Sequence, residues 1–451
     1  MTDLQDQITG VVISPLSPGY DDARAVWNAM VDRRPRLIVR CASPEDVAAA
    51  IRYGRDNDLD LGVRCGGHSV VGHAIPDDGL VIDLTLMDQV TVDPSRRHAW
   101  VQGGAMLGAL DRASQPHGLA TTAGNVSHTG VGGLTLGGGM GWLARQHGLT
   151  CDNVISFEVV TADGRMVRAS AEENPELFWG LRGGGGNFGI VTDFEFALHP
   201  LTGPAIQVIL RFPLEAAAEA MRAWRDLGPD APRQATLTAW VGDTDTDPEV
   251  HLGFVWVGDQ TGLPELLGAL RSIGRPIDEQ VREMSYLELQ QMDDVSVESH
   301  AYRRYWKGHF CRELSDAAIE AFILRGTPDG RGDCLPYASL QAYGGAIADV
   351  PDDATAFSQR ETFVEFVSAS RWTDPAEDGT RIGAGRRYGA TIAPYASGAY
   401  VNALTDEGSA GVQRAYSPEK LIRLTRLKDD WDPDNVFHRN ANIPPSAPGQ
   451  R

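Results

Sequence analysis

Two glycine clusters constrain this chain more than anything else in it. The first is Arg64-Cys65-Gly66-Gly67-His68-Ser69, set between two predicted strands. The second is Gly130-Val131-Gly132-Gly133-Leu134-Thr135-Leu136-Gly137-Gly138-Gly139. Only glycine lets backbone N–H groups approach phosphate oxygens this closely, often at positive φ. Two such segments in one domain point to a phosphate-bearing cofactor. His68, directly after the first pair, adds a nucleophilic nitrogen beside it. Taken alone, Gly66-Gly67 reads as a turn and His68 as a packed structural residue. The two clusters together favour the cofactor.

The chain has 451 residues, room for two or three domains at roughly 150 residues each. Its formal net charge of −21 argues against a nucleic-acid partner, which needs a basic face. The acidity reads as solubility. No run of about eighteen apolar residues is present, so no membrane helix is expected. The opening MTDLQDQITG lacks a basic stretch followed by an apolar one, so no secretory signal is expected. Cys41, Cys65, Cys151, Cys311 and Cys334 are scattered, with no CxxC pair, and the histidines form no HExxH. That pattern predicts no disulfide framework, no metal site and a cytoplasmic setting.

Residues 37–41 read as a strand. Ser43-Pro44-Glu45-Asp46 starts a helix, with Ser as N-cap, Pro at the first position and acids in the first turn. Gly54 is the expected end of that helix. The strand 59–63 then delivers Arg64 to the first glycine cluster. Further strands are expected at 80–84, 90–92 and 98–101, with a helix opening at Gly103-Gly104. Residues 154–161 and 165–167 form a predicted hairpin about Asp163-Gly164, and 190–198 alternates as a half-buried strand. Beyond Pro200 to Pro204 the texture changes: strands at 206–212, 236–241 and 251–257 and helices at 216–227 and 263–273 predict an antiparallel sheet covered by helices on one face. Ser417-Pro418 starts a last helix that Asp432-Pro433 stops. The fold class expected is α+β. A first unit of 1–203 with 405–451 would enclose a second, 204–404.

A dinucleotide-binding βαβ unit needs GxGxxG between a strand and a helix, with an acid about 20 residues on. Gly137-Gly138-Gly139-Met140-Gly141 lacks that spacing, and the first cluster precedes a strand. Several motifs in fixed order instead resemble the vanillyl-alcohol-oxidase-type (PCMH) FAD-binding proteins, specifically the berberine-bridge-enzyme-like branch with its hydroxynicotine-oxidase-like bacterial members. They are the two clusters; Gly148-Leu149 with Asp152-Asn153-Val154; Leu177-Phe178-Trp179 with Arg182 to Thr192 (RGGGGNFGIVT); Asp432 to Phe437 (DPDNVF); and Asn440-Ala441-Asn442-Ile443. The resemblance is dense over about 30–203 and 398–445 and loose between.

The resemblance implies a PCMH-type FAD domain, a substrate domain and an enzyme. Arg64, Cys65, Gly66, Gly67, His68 and Ser69 would cradle the pyrophosphate. His128, Thr129, Gly132, Gly133, Gly137, Gly138 and Gly139 would pass under the flavin ring. Gly189, Ile190 and Val191 would meet the adenine end, and Asn440 and Asn442 would reach the ring. His68 matches the residue that bonds covalently to the flavin 8α carbon. Bicovalent members carry a cysteine where Val126 stands here, so a single tether and no cysteinyl bond is expected. His128 could bond the ring or the substrate, or be structural.

The family's substrate-domain base is a Glu in a pattern like Leu-Glu-Pro-Tyr-Gly-Gly. The matching run is Leu340-Gln341-Ala342-Tyr343-Gly344-Gly345, and Gln341 can bind a hydroxyl but accept no proton. Tyr400 matches the first Tyr of the family's Tyr-x-Asn-Tyr-x-Asp motif, with Ala403 replacing the second and one residue inserted before Asp406. Tyr400 and Gln341 are thus the expected catalytic residues. A tyrosine base needs a nearby cation or the oxidised flavin, and Arg303, Arg304 and Lys307 are candidates, with a solvated strand as their bland reading. Tyr302, Tyr305 and Trp306 read as pocket lining or core. The leading function is an oxidase that takes a hydride from a C–O or C–N bond of a small molecule and passes the electrons to O2. A dehydrogenase with another acceptor and a non-catalytic flavin carrier are the alternatives. A monomer or homodimer is expected.

Overall fold

The computed structural model describes residues 2–243, 247–294 and 301–447. Its first sheet has the spatial order Val11–Ile13, Leu37–Arg40, Leu80–Asp83, Leu61–Arg64. The last three run parallel, and parallel neighbours need a crossover. The helix Pro44–Asp56 supplies it. Ser43 caps that helix by accepting from the Asp46 N–H. Gly54 lies inside the helix rather than at its end. A Cβ there would stand 2.3 Å from Leu61 Cδ2, so the glycine lets the helix lie against the strand that leads to the first cluster. The chain turns two residues past the helix end, where Asp58 takes φ 51°.

The second sheet is antiparallel, ordered Val90–Asp93, His98–Gln102, Ile190–Ala197, Val154–Val160, Met166–Ser170. The expected hairpin is its 154–170 edge. The strand 190–197 is its central member, and Ile190, Val191, Phe194, Glu195 and Phe196 are all buried. It is therefore covered on both faces, not half-buried, because a central strand has packing above and below. The helix expected at Gly103-Gly104 begins at Leu107.

The third sheet has seven antiparallel strands, ordered Asp278–Met284, Ala205–Pro213, Pro248–Val257, Ala235–Asp243, Tyr337–Ala342, Val364–Trp372, Arg303–Cys311. Helices Leu214–Asp226, Asp316–Leu324 and Asp378–Ile392 cover one face. Met221, Trp224, Phe322 and Tyr388 pack there on Leu210, Leu237, Phe254, Leu340 and Phe366. The opposite face turns toward the first part of the chain: Val255 and Val257 meet Trp142 and Leu143, and Phe310 joins Met140, Leu149 and Phe357.

Several motif residues bolt these layers together. Arg360 grips Asp152 with two bonds of 2.7 Å, both side chains nearly inaccessible. The helix Pro418–Trp431 returns to the first part, placing Leu424 and Leu427 in its core. Lys428, fully buried, donates to Asp432 Oδ2 at 2.6 Å, the Asn187 carbonyl at 2.8 Å and the Phe437 carbonyl at 3.0 Å. One ammonium thus ties the RGGGGNFG and DPDNVF segments, satisfying the requirement that a buried charge be paired and bonded.

Candidate active site

The two glycine clusters cross. A Cβ on Gly66 would lie 2.5 Å from the Gly130 nitrogen, and one on Gly130 would lie 2.4 Å from Cys65 Sγ. Neither position tolerates a side chain, which is why both segments carry glycine. Gly67 adopts φ 67°. The backbone N–H groups of Gly67, His68, Ser69, Val70 and Val71 donate to no protein group among the described residues. A run of free donors with so small a footprint suits an anionic oxygen cluster. Arg64, at the strand end, is spent locally on the Ala23 carbonyl.

The second cluster is helical where a loop was expected. Val131–Leu136 forms a short helix, anchored by buried Val131, Thr135 and Leu136. Gly133 faces open space. The triplet after it does different work. A Cβ on Gly137 would strike the Asn402 side chain at 2.3 Å, one on Gly138 the Phe357 ring at 2.7 Å, and one on Gly139 Thr150 Oγ1 at 2.3 Å. These three glycines admit neighbouring protein segments. Gly189 likewise fits under Val159, and Ile190 and Val191 pair with Val160 and Val159 in the sheet.

His68 is the centre of a half-buried aromatic group. Its ring stacks on Trp27 at 4.8 Å and 16°, and Arg304 lies over the Trp27 ring at 4.0 Å. His68 Nε2 sits 2.7 Å from His128 Nδ1; its Nδ1 has only Thr129 Oγ1, at 3.5 Å. Burial, with His128 and Arg304 adding, pushes the His68 pKa down to about 3. The imidazole is therefore neutral at physiological pH and keeps a nucleophilic lone pair.

From His128 the same loop leads to the seven-stranded sheet. Asn125 donates to Gln341 Oε1 at 2.9 Å. Gln341 lies directly opposite Glu365 in the antiparallel ladder, and opposed residues share a face. Glu365 is buried, accepts from the Tyr343 hydroxyl at 2.8 Å, and burial lifts its pKa to about 7. A carboxyl poised there suits general-base work. Sequence reading missed it. Its signal was the one acid of the strand Val364–Trp372, set between Val364 and Phe366.

Tyr400 packs on Phe310 and Phe357. Its hydroxyl accepts from the Gly139 N–H and from Asn402 Nδ2, both at 2.9 Å. Burial, then the charge of Glu365, raises its pKa above the ordinary phenol value. None of the three cations expected beside it bonds it among the described residues. Arg303 pairs with Asp378, Lys307 with Asp406 and Glu407, and Arg304 with the Trp27 ring and the Trp27 and Tyr302 carbonyls. Nor are these charges solvated: Arg304 is buried, with its pKa pushed down to about 10 by burial and Arg371. Trp306 packs edge-on to Trp27 at 5.2 Å, and the Tyr305 hydroxyl bonds Asp406.

Whether these residues fit a flavin nucleotide is tested by the polar atoms that lack protein partners. Asn440 Oδ1, Asn442 Oδ1, Gln341 Nε2, Asn125 Oδ1, His128 Nε2 and Trp27 Nε1 are all buried without one among the described residues. Buried polar groups are ordinarily paired; Trp27 and His128 contact His68, and Asn125 contacts Gln341, so these open atoms fit a large polar cofactor with many acceptors and donors.

Fold and site together define a two-part, glycine-clasped flavoprotein oxidoreductase. Residues 35–170 match the family model described as FAD binding domain, and residues 399–444 match that described as berberine and berberine like. The FAD-linked oxidoreductase YgaK of Bacillus subtilis is 31% identical over 97% of this chain and 98% of its own. The solved structure of 6-hydroxy-D-nicotine oxidase from Arthrobacter nicotinovorans superposes with TM-score 0.87 at 27% identity, covering 97% of this chain and 98% of that one. The moss Physcomitrella patens BBE-like 1 structure shares the fold, with TM-score 0.89, 24% identity and 99% coverage of both chains. The chain belongs to the FAD-linked oxidoreductases of the berberine-bridge-enzyme-like group. It is an enzyme whose cofactor is FAD.

Proposed function

We propose that the protein is an FAD-dependent oxidase that removes a hydride from a C–O or C–N bond of a small organic substrate, an alcohol, sugar, cyclic amine or secondary metabolite. Dioxygen takes the electrons and leaves as hydrogen peroxide. The observation that carries this reading is the juxtaposition of neutral His68, through the 125–129 loop, with the Gln341–Glu365 pair on the facing sheet. One half holds the cofactor and the other handles a proton.

The N–H groups from Gly67 to Val71 would hold the pyrophosphate, and Asn440 and Asn442 would pair with the ring. Residues 1–203 with 405–451 form the cofactor unit and 204–404 the substrate unit. Bound FAD supplies a two-electron acceptor, and a histidyl tether raises its oxidising power. His68 is the single point of attachment. The cysteine thiols argue against a second: burial pushes Cys65, the one nearest the clusters, up to about 11, and Cys311 likewise, so neither offers a thiolate. Gln341 orients the substrate through its unpartnered Nε2. Glu365 takes the substrate's O–H or N–H proton as the hydride leaves. The fixed, proton-retaining Tyr400 holds the Gly139 turn in place.

The test is anaerobic mixing with a panel of alcohols, oligosaccharides and cyclic amines. A substrate should bleach the flavin, and admitting air should restore colour with one hydrogen peroxide per turnover. A flavin that no member reduces, or that only a dye reoxidises, refutes the oxidase reading.

A further inference from the structure

His68 and His128 form a part-buried histidine pair, of which the proposed function uses only His68. His68 Nε2 and His128 Nδ1 are 2.7 Å apart, so one of them carries the shared proton. His128 Nε2 is buried with no hydrogen-bond partner. It faces the Asp294 carboxylate at 3.9 Å, beyond hydrogen-bond reach but close enough for a charge to be felt. Asp294 is itself fixed: it accepts from the Ser127 N–H at 3.0 Å and from the Ser127 hydroxyl. Ser127 is the residue before His128, so the carboxylate is anchored to the very turn that carries the imidazole. Asp294 comes from the substrate unit and His128 from the cofactor unit.

We propose that His128 and Asp294 are positioning residues for covalent flavin attachment: His128 holds His68 in the tautomer whose Nδ1 is the nucleophile, and Asp294 stabilises His128 when it receives the displaced proton. The inference rests on the His68 tether proposed above. The hydrogen bond made by one ring nitrogen decides the state of the other. With the shared proton on His68 Nε2 and His128 Nδ1 accepting, the lone pair is left on His68 Nδ1. That atom has no competing partner nearer than Thr129 Oγ1 at 3.5 Å, and stacking on Trp27 fixes the ring plane. A neutral His128, its pKa lowered chiefly by burial, is free to accept.

The step balances as follows. One bond forms, from His68 Nδ1 to the flavin 8α carbon, and one 8α C–H bond breaks. Two protons, the one from that carbon and the one from the imidazole, pass to the ring system together with the electron pair of the broken bond. The imidazole's proton travels by way of His128. Dioxygen, the oxidant, then removes two electrons and two protons and leaves as hydrogen peroxide.

The test uses the full-length purified protein incubated with excess FAD in air. Samples taken with time are denatured in acid, and the flavin retained on the polypeptide is measured by absorbance and mass. The wild-type chain should end fully labelled on His68. Loss of a positioned proton acceptor typically costs ~10²–10⁴ in rate, so His128→Ala should attach FAD at least about 100-fold more slowly while still binding it, yellow, until denatured. His128→Asn, whose side-chain oxygen can accept from His68 Nε2, should attach faster than His128→Ala. Asp294→Asn should slow attachment while leaving the FAD dissociation constant within a few-fold. His128→Ala attaching at the wild-type rate, or His128→Asn no faster than His128→Ala, overturns the proposal. A wild-type chain that releases all of its flavin on denaturation refutes instead the tether on which it rests, so the two failures are told apart.

Discussion

Glu365→Gln is the sharpest test of how this site moves a proton. Glu365 is buried, and its folded-state pKa of about 7 stands against an ordinary value of 4.5. If it is the base, flavin reduction needs its ionised form. The rate of anaerobic reduction should then fall about tenfold per pH unit below 7, reaching about 1% of its plateau at pH 5. The glutamine variant keeps the shape and the Tyr343 contact but cannot accept a proton. Its rate should be ~10²–10⁴ lower on the plateau and flat between pH 5 and 8. Stability offers an independent readout. The folded state holds this proton more tightly than the unfolded chain, so the wild type loses stability as pH rises from about 4.5 to about 7. The difference in pKa corresponds to about 3 kcal/mol, an upper figure for so buried a group. Glu365→Gln should lack that loss, so its melting temperature should gain on the wild type across the same window. Stopped-flow reduction and thermal melts measure the two. A variant that retains the acid limb of the pH–rate profile refutes the assignment, whatever its absolute rate.

Four further outcomes follow from the geometry. His68→Ala should release FAD on acid precipitation and reduce more slowly, because the untethered flavin is a weaker oxidant; peptide mass and stopped-flow traces check both. No flavin mass should be found on Cys41, Cys65, Cys151, Cys311 or Cys334 when the denatured holoenzyme is mapped. Arg360→Met would leave the Asp152 carboxylate buried and unpaired, a loss of about 3–5 kcal/mol that denaturant melts would show. Tyr400→Phe should leave the Gly139 N–H without its acceptor, costing roughly 1–3 kcal/mol of stability, while the pH dependence of reduction stays that of the wild type.

Local chemistry made the frame of this fold legible. Ser43-Pro44 starts its helix where capping requires, and the strand that delivers Arg64 to the first cluster stands within two residues of its expected start. Gly54 misled because a glycine near a helix end serves either as a stop or as a gap for a neighbour, and only the position of Leu61 distinguishes them. The same ambiguity governs the second cluster. Gly130 is required by Cys65 and Gly66, while Gly137, Gly138 and Gly139 answer to Asn402, Phe357 and Thr150, residues up to 265 positions away. The cluster is one motif in sequence and two devices in space.

What stayed hidden is what depends on pairing between residues far apart in the chain. Arg303, Arg304 and Lys307 are three basic residues within one strand, and their alternation gives no hint that two are neutralised by Asp378, Asp406 and Glu407 while the third lies on Trp27. Once those partners claim them, none of the three is left for a tyrosine base at Tyr400. Glu365 is the reverse case. Apart from its being the one acid of FVEFVSASRW, nothing marks it, yet the register that sets it against Gln341 puts it on the face where Gln341 meets Asn125. The loop from Asn125 to Thr129 begins at a contact with the strand pair of Gln341 and Glu365 and ends against the histidine that would carry the flavin. A single shift of register on either strand would turn Gln341 or Glu365 to the helix-covered face. On the proposed reading, the seven-stranded sheet sets the proton chemistry as the glycine clusters set the cofactor.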